Sequence, residues 1–315
     1  MRAIVFHGAG GPEVMSYEER PDPEPGAGEV LVAATHAGLN PADLMQRAGH
    51  YPAPPGSPAD VPGIEVAGRV IACGPRTTVL HEGDRVFGVV GGGGLADRVI
   101  VHERHLAPVP ENLDEGGAAA VPEGFITAHD AVFTRARLAA GETLLVNGAN
   151  GGVGTAAVQL GLAAGAFVLA GVRSEESAAR VRELGAEPVA LGEASGADVV
   201  LELVGAPNLP ADLEAIGPLG RVIVVGTGAG AETSINLRAL MGKRASLMGT
   251  VLRARPHEQK AAAVQAFARS VVPLLATGAV RPIVDRVFPA GEAPAAFDRL
   301  AGRGKFGKVL LEFEI

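Results

Sequence analysis

The 315-residue chain has one cysteine, Cys73, no tryptophan and only two tyrosines. A single cysteine excludes an internal disulfide and any cysteine-rich zinc site by count alone, and fits a reducing, cytoplasmic setting. No uncharged apolar run is long enough to span a bilayer, because LLVNGANGGVGTAAVQLGLAAGA is interrupted by glycines. The segment MRAIVFHGAGGPEV lacks the longer hydrophobic region of a signal peptide. Blocks of one charge are missing too. With a formal net charge of −8 and no basic patch, nucleic acid and anionic membrane are not expected as partners, which leaves small-molecule ligands.

The length exceeds that of a usual single domain and predicts two. From Ala118 onward, apolar runs of strand length (TLLVNGA, FVLAGVR, EPVALG, DVVLELVG, RVIVVGT, SLMGTVL) are nearly continuous, as expected for strands covered on both faces. TAAVQLGLAAGA and SEESAARVRELGA lie between the first three and read as helices, the second ending at Gly185 as a C-cap. This βαβ succession predicts a Rossmann-type, doubly wound parallel sheet. Before it, RAIVFH, SYEER, EVLVAATHAGL, EVAGRVIACG, GDRVFGVV and DRVIVHERHLA are more polar runs separated by Gly/Pro clusters. They predict a mainly antiparallel β domain. After Arg253 come two helical stretches and a last strand, KVLLEF, read as a return to the first domain. The expected division is 1–119 plus 253–315, with 120–252 inserted as the nucleotide-binding domain.

In NGANGGVG the second and third positions of a G-x-G-x-x-G pattern are Gly151 and Gly154, with Ala149 in place of the first glycine. Such a loop needs a tight turn after a strand, close backbone approach to a diphosphate and a helix N-terminus aimed at the anion. Gly151 and Gly152 supply the approach, Val153 lies within the loop, and Gly154 allows close helix–strand packing. The loop follows a clear strand and opens a clear helix, which favours a dinucleotide over an ordinary turn. No Lys-Ser/Thr pair closes it, which argues against a triphosphate site. The second strand runs into Arg173 and Ser174 instead of a ribose-binding acid, so NADPH is expected in preference to NADH. Glu175 and Glu176 read as first-turn helix residues. Gly205 and the pair Gly226–Thr227 end later strands, where ligands of open sheets bind.

Together NPADLMQRAGHYPAPPG, VPGIEVAGRV, EGDRV, NGANGGVGTAAVQL and the segment from GTVLRARP to GKVLLEF resemble the quinone oxidoreductase branch of the medium-chain dehydrogenase/reductase superfamily. The resemblance spans essentially the whole chain and is nearest to the zeta-crystallin-like and tumour-suppressor-inducible quinone oxidoreductases. It implies a GroES-like catalytic domain, completed by the C-terminal segment, around an inserted Rossmann domain. It also implies that Asn40 lies near the nicotinamide, Tyr51 lines the substrate cleft, Thr127 contacts the cofactor, and Arg303 and Lys305 lie in the tail near it. Zinc-dependent members carry cysteine where Asn40 stands and histidine where Ile64 stands, so no metal is expected. His102 and His105, the closest histidine pair, read as a solvated strand end. A lysine that many members use for the 2′-phosphate corresponds to Ser177, and a tyrosine after the third strand is missing. EPVALGEASGADVV is too short to hold the usual intervening helix.

The expected activity is NADPH-dependent, metal-free hydride transfer to a quinone. The alternatives are reduction of an enone or 2-alkenal C=C bond and a non-catalytic, NADPH-binding redox sensor or crystallin-like protein. A homodimer formed through the last Rossmann strand is expected from the family.

Overall fold

A computed structural model describes residues 1–314. The chain divides into two compact units: 1–126 with 252–277 and 282–315, and 127–251 with 278–281.

The first unit is built on antiparallel strands. β1 (Arg2–Phe6) pairs with β2 (Met15–Glu19). β3 (Glu29–Ala33) is followed by the short β4 (His36–Gly38) and helix α1 (Pro41–Arg47), then by β5 (Glu65–Cys73), β6 (Arg85–Val89), β7 (Arg98–His102) and β8 (Leu106–Pro108). Five of these form one antiparallel sheet in the order β7-β3-β5-β6-β8. Valines from its strands, with Ala3, Val5 and Leu106, fill a core of small side chains. Small side chains permit close backbones, and two glycines in this sheet mark the limit. A Cβ at Gly68 would enter the Ala33 carbonyl, and one at Gly88 the His105 carbonyl. Short helices α2 (Glu115–Ala119) and α3 (Pro122–His129) follow, and a π-helical stretch, Asp130–Arg135, continues α3.

The second unit is a six-stranded parallel sheet. β9 (Thr143–Asn147) leads through helix α4 (Gly152–Ala163) to β10 (Phe167–Gly171), and α5 (Glu175–Glu183) leads on to β11 (Glu187–Val189). Residues 190–196 then turn straight into β12 (Ala197–Glu202) without a helix, matching the short linker in the sequence. α6 (Leu209–Ala215), β13 (Ile216–Val224), α7 (Leu237–Lys243) and β14 (Ser246–Gly249) complete the sheet. Its order is β11-β10-β9-β12-β13-β14. The chain grows one way from β9 and then returns to its other side, so β9 and β12 flank the topological switch point where open α/β sheets take ligands. Leu144, Val146 and Val199–Leu201 are fully buried here, which explains why these runs lack alternation.

The chain then re-enters the first unit through α8 (His257–Ser270) and α9 (Val272–Ala276). β15 (Val284–Pro289), α10 (Ala293–Ala301) and β16 (Lys308–Glu312) follow. β16 pairs antiparallel with β4, Leu310 opposite Gly38, so the last strand closes against one of the first. Phe297, Val309 and Leu311 join Ile4, Leu39 and Leu95 in one core cluster. The sequence reading did not separate β15, whose residues are mostly exposed and carry no burial pattern.

Candidate active site

In the second unit, the loop after β9 sits at the carboxyl edge of the sheet. Gly148 adopts φ +80°, and Gly151 turns the chain into α4. A Cβ at Gly154 would run into the Gly148 carbonyl and lie 2.7 Å from Ala149 Cα, so only glycine lets the helix pack down on its own loop. Gly151 differs: its Cβ would meet nothing closer than the Gly148 carbonyl oxygen at 3.6 Å. No side chain caps α4 and its first turn has no acidic residue, so the positive end of the helix is not answered by the helix's own residues. These residues fit a dinucleotide diphosphate.

The neighbouring strand ends converge on the same edge. Ala149 N–H donates to the Gly171 carbonyl at 3.4 Å, which brings the end of β10, and Arg173 two residues beyond it, beside the loop. Arg173 is exposed. Ser174 is the N-cap of α5: its hydroxyl accepts from Ser177 N–H at 3.2 Å and pairs with the Ser177 hydroxyl at 3.0 Å. That hydroxyl therefore has a structural task which the sequence reading did not assign to it. Gly205 and Gly226–Thr227 lie together, since a Cβ at Gly205 would stand 2.9 Å from Thr227 Cα, and Ala206 N–H donates to the Gly230 carbonyl at 2.9 Å. Thr127 is buried within α3.

Under this edge lies a polar cluster that sequence reasoning missed. Asn147 ends β9 opposite Glu202, which ends β12. The Asn147 carboxamide donates to Glu202 at 2.8 Å and to Asp212 at 2.6 Å. Glu202 also accepts from Val204 N–H at 2.5 Å, Gly205 N–H at 2.7 Å and the Asn208 carboxamide at 3.1 Å. The carboxylate thus pins the turn that carries Gly205. Burial, and then the nearby Glu202, push the Asp212 carboxyl up to about 8. The signal was an acid inside the apolar run DVVLELVG.

In the first unit, Asn40 is the N-cap of α1 and forms a capping box with Asp43. Asp43 Oδ2 accepts from Asn40 N–H at 2.8 Å and Oδ1 from Gly63 N–H at 3.0 Å, yet complete burial lifts its carboxyl to about 6. The Asn40 carboxamide is clamped. Its nitrogen donates to Glu65 at 2.7 Å and its oxygen accepts from Lys308 at 2.7 Å. Lys308 also donates to the Leu39 carbonyl at 3.1 Å and is ion-paired with Glu65, whose second oxygen accepts from Glu123 N–H at 2.8 Å. An ammonium of the chain itself therefore meets the oxygens that a cation at this point would meet. Ile64 beside it is buried and offers no ligand atom. A zinc ion does not fit these residues.

The tail lysine that reaches Asn40 is Lys308. Lys305 and the exposed Arg303, chosen from the sequence, lie in the turn between α10 and β16. Tyr51 follows α1 in the segment 48–64. Burial raises its phenol above the usual range, and the nearby Arg253 opposes that shift. His257 of α8 joins His102 and His105, with ring centroids 4.0 and 4.6 Å away. His102 Nδ1 accepts from Arg104 N–H and His105 Nε2 faces the His257 carbonyl, so one nitrogen of each of these two rings is already engaged within the chain. Among the described residues no group of three or more His, Cys, Asp or Glu is arranged to hold a metal ion, and no helix is long and apolar enough to cross a membrane.

An antiparallel GroES-like unit completed by its C-terminal strand, interrupted in sequence by an inserted parallel-sheet unit, defines the medium-chain dehydrogenase/reductase architecture. Residues 26–111 match the alcohol dehydrogenase GroES-like domain model and residues 177–311 the zinc-binding dehydrogenase model. The chain is 34% identical to a quinone oxidoreductase of Mus musculus, with 99% of this chain and 97% of the relative covered. It is 32% identical to one of Pseudomonas aeruginosa, covering 98% and 99%. A solved quinone oxidoreductase from Pseudomonas syringae superposes with a TM-score of 0.87 at 28% identity, covering 99% of both chains. The chain belongs to the quinone oxidoreductase family of this superfamily and is an oxidoreductase.

Proposed function

We propose that the protein is an NADPH-dependent quinone reductase that works without a metal ion. One observation carries the reading: α4 presents an uncapped, acid-free N-terminus above a loop in which Gly154 has no room for a side chain. That geometry suits a diphosphate, and Gly151 leaves open the approach a diphosphate needs. Arg173, exposed beside the loop, supports the choice of NADPH through a charge-assisted contact to the 2′-phosphate. Ser174 contributes by capping the helix that follows. Gly205 and Gly226–Thr227 would border the bound dinucleotide, and Thr127 its nicotinamide half. Arg303 and Lys305 remain candidates for outer contacts of the cofactor.

When bound, the cofactor supplies a hydride from the nicotinamide C4. The chain's part is positioning and exclusion of water. We place Asn40 beside the nicotinamide, its carboxamide held in one orientation by Lys308 and Glu65. Tyr51 lines the acceptor site, and its phenol is a weak proton source alongside solvent. A quinone is the acceptor best matched to such a site, because its conjugation spreads the arriving charge without a Lewis acid. The quinone oxidoreductase relatives support the same acceptor class. The test is a panel of quinones, enones and 2-alkenals offered with NADPH and NADH, with products identified. Quinone-dependent NADPH oxidation is expected. Turnover of enones alone would reassign the acceptor, and cofactor binding without any turnover would make the protein a dinucleotide sensor.

A further inference from the structure

Arg253 lies where the chain re-enters the first unit, and its side chain is buried. Its guanidinium joins three separate pieces of that unit. Nε donates to the Gly91 carbonyl at 2.7 Å, one terminal nitrogen to the Tyr51 carbonyl at 3.1 Å, and the other to Gln46 Oε1 at 2.5 Å. The guanidinium carbon also stands 5.0 Å from the centre of the Tyr51 ring. All three acceptors are neutral. A buried guanidinium whose hydrogen-bond acceptors are all neutral, with Asp43 and Glu123 acting on it only through their charge, is costly to keep, so its place in the fold calls for a local task.

The segment it holds has little else to fix it. Residues 51–58, YPAPPGSP, form no helix or strand, and four prolines remove backbone donors. The segment lies on the run Gly91–Gly94. A Cβ at Gly91 would collide with Ser57, one at Gly92 would stand 2.9 Å from the Pro58 carbonyl oxygen, and one at Gly93 3.1 Å from Pro58 Cγ. The glycine run is a floor without side chains, and a floor of that kind sets the height of a loop but not its lateral position. The Arg253 fork, fixed at once to the floor, the loop and α1, supplies what the floor lacks.

We propose that Arg253 is a positioning residue for Tyr51, fixing the segment that carries this ring on its Gly91–Gly93 floor and thereby setting the fit of the acceptor. The statement about the acceptor rests on the function proposed above; the statement about Tyr51 does not.

The test uses the chain's scarcity of chromophores. With no tryptophan and two tyrosines, a Tyr17→Phe background leaves Tyr51 as the sole source of tyrosine fluorescence. In that background Arg253→Met and Arg253→Lys are compared with their parent by acrylamide quenching and by steady-state kinetics with a quinone and NADPH. Both variants are expected to show increased quenching of Tyr51 and a quinone KM raised about tenfold, as a displaced lining side chain would cause, with the KM for NADPH unchanged. The Lys variant keeps the charge but not the fork, so it should not rescue either readout. Unchanged quenching in folded variants overturns the proposal, and so does a failure of both variants to fold, because a residue that only places one loop leaves the unit intact. Increased quenching with an unchanged quinone KM overturns the acceptor part alone. If the parent reduces no quinone, the function fails while quenching still judges the role of Arg253.

Discussion

Asp212 and Glu202 are two buried carboxyl groups that share the carboxamide nitrogen of Asn147, at the point where β9 and β12 end side by side. Two carboxylates so placed cannot both ionise cheaply, and Asp212 keeps its proton up to about pH 8. Its folded pKa lies above the ordinary value of 3.8. Between those limits the folded state holds a proton that the unfolded chain has released. The contribution is therefore complete below about pH 4 and is lost as pH rises through 8. Asp212→Asn should flatten the fall in Tm between pH 6 and 9 relative to wild type, measured by thermal melts across that range. A parallel fall in both proteins would contradict this.

Lys308 and Glu65 are buried together in a direct ion pair, and the Asn40 carboxamide bonds to both. Removing one member leaves an uncompensated charge, so Lys308→Met should cost about 3–5 kcal/mol of stability. Adding Glu65→Gln should recover much of that loss. A double-mutant cycle in urea measures the coupling; additive single losses would show that the pair does not act as a unit.

The glycines of the cofactor loop have separable tasks. Gly154→Ala meets the backbone of Gly148 and Ala149 and should lower both stability, by about 1–3 kcal/mol, and NADPH affinity. Gly151→Ala has room in the fold and ordinary extended backbone angles, so its Tm should stay near wild type while NADPH binding, followed by nicotinamide fluorescence, weakens. Equal behaviour of the two variants would remove the distinction.

Arg173 and Ser174, adjacent in sequence, should also part company. Arg173→Ala is expected to weaken NADPH binding about tenfold and leave NADH binding unchanged. Ser174→Ala removes the cap of α5 and should cost about 1 kcal/mol of stability. Any effect on the two cofactors should then be equal. Titrations of both variants with both nucleotides decide between these roles.

Most of the framework was legible because its signals are local. The run LLVNGANGGVG announces strand, turn and helix within a dozen residues, and the uninterrupted apolar strands announce a sheet covered on both faces. The clamp on Asn40 was not legible, since Lys308 and Glu65 come from strands far apart in sequence and meet only after β16 has paired with β4. Arg253 could be placed from the sequence only as a contact of the cleft or a cover of the domain junction, because its partners lie more than 160 residues away. Ser174 was read by its polarity alone, which does not distinguish a phosphate contact from an N-cap. β15 carried no periodicity because its burial comes from neither a full face nor a full alternation.

The most direct test of metal-free hydride delivery is the rate of quinone reduction with NADPH deuterated at the transferred C4 position, measured with and without a strong chelator. Metal-free hydride delivery predicts a slower rate with deuterium and no change with chelator. An isotope-insensitive rate in single turnovers, or activity that disappears on chelation and returns with added zinc, would contradict it.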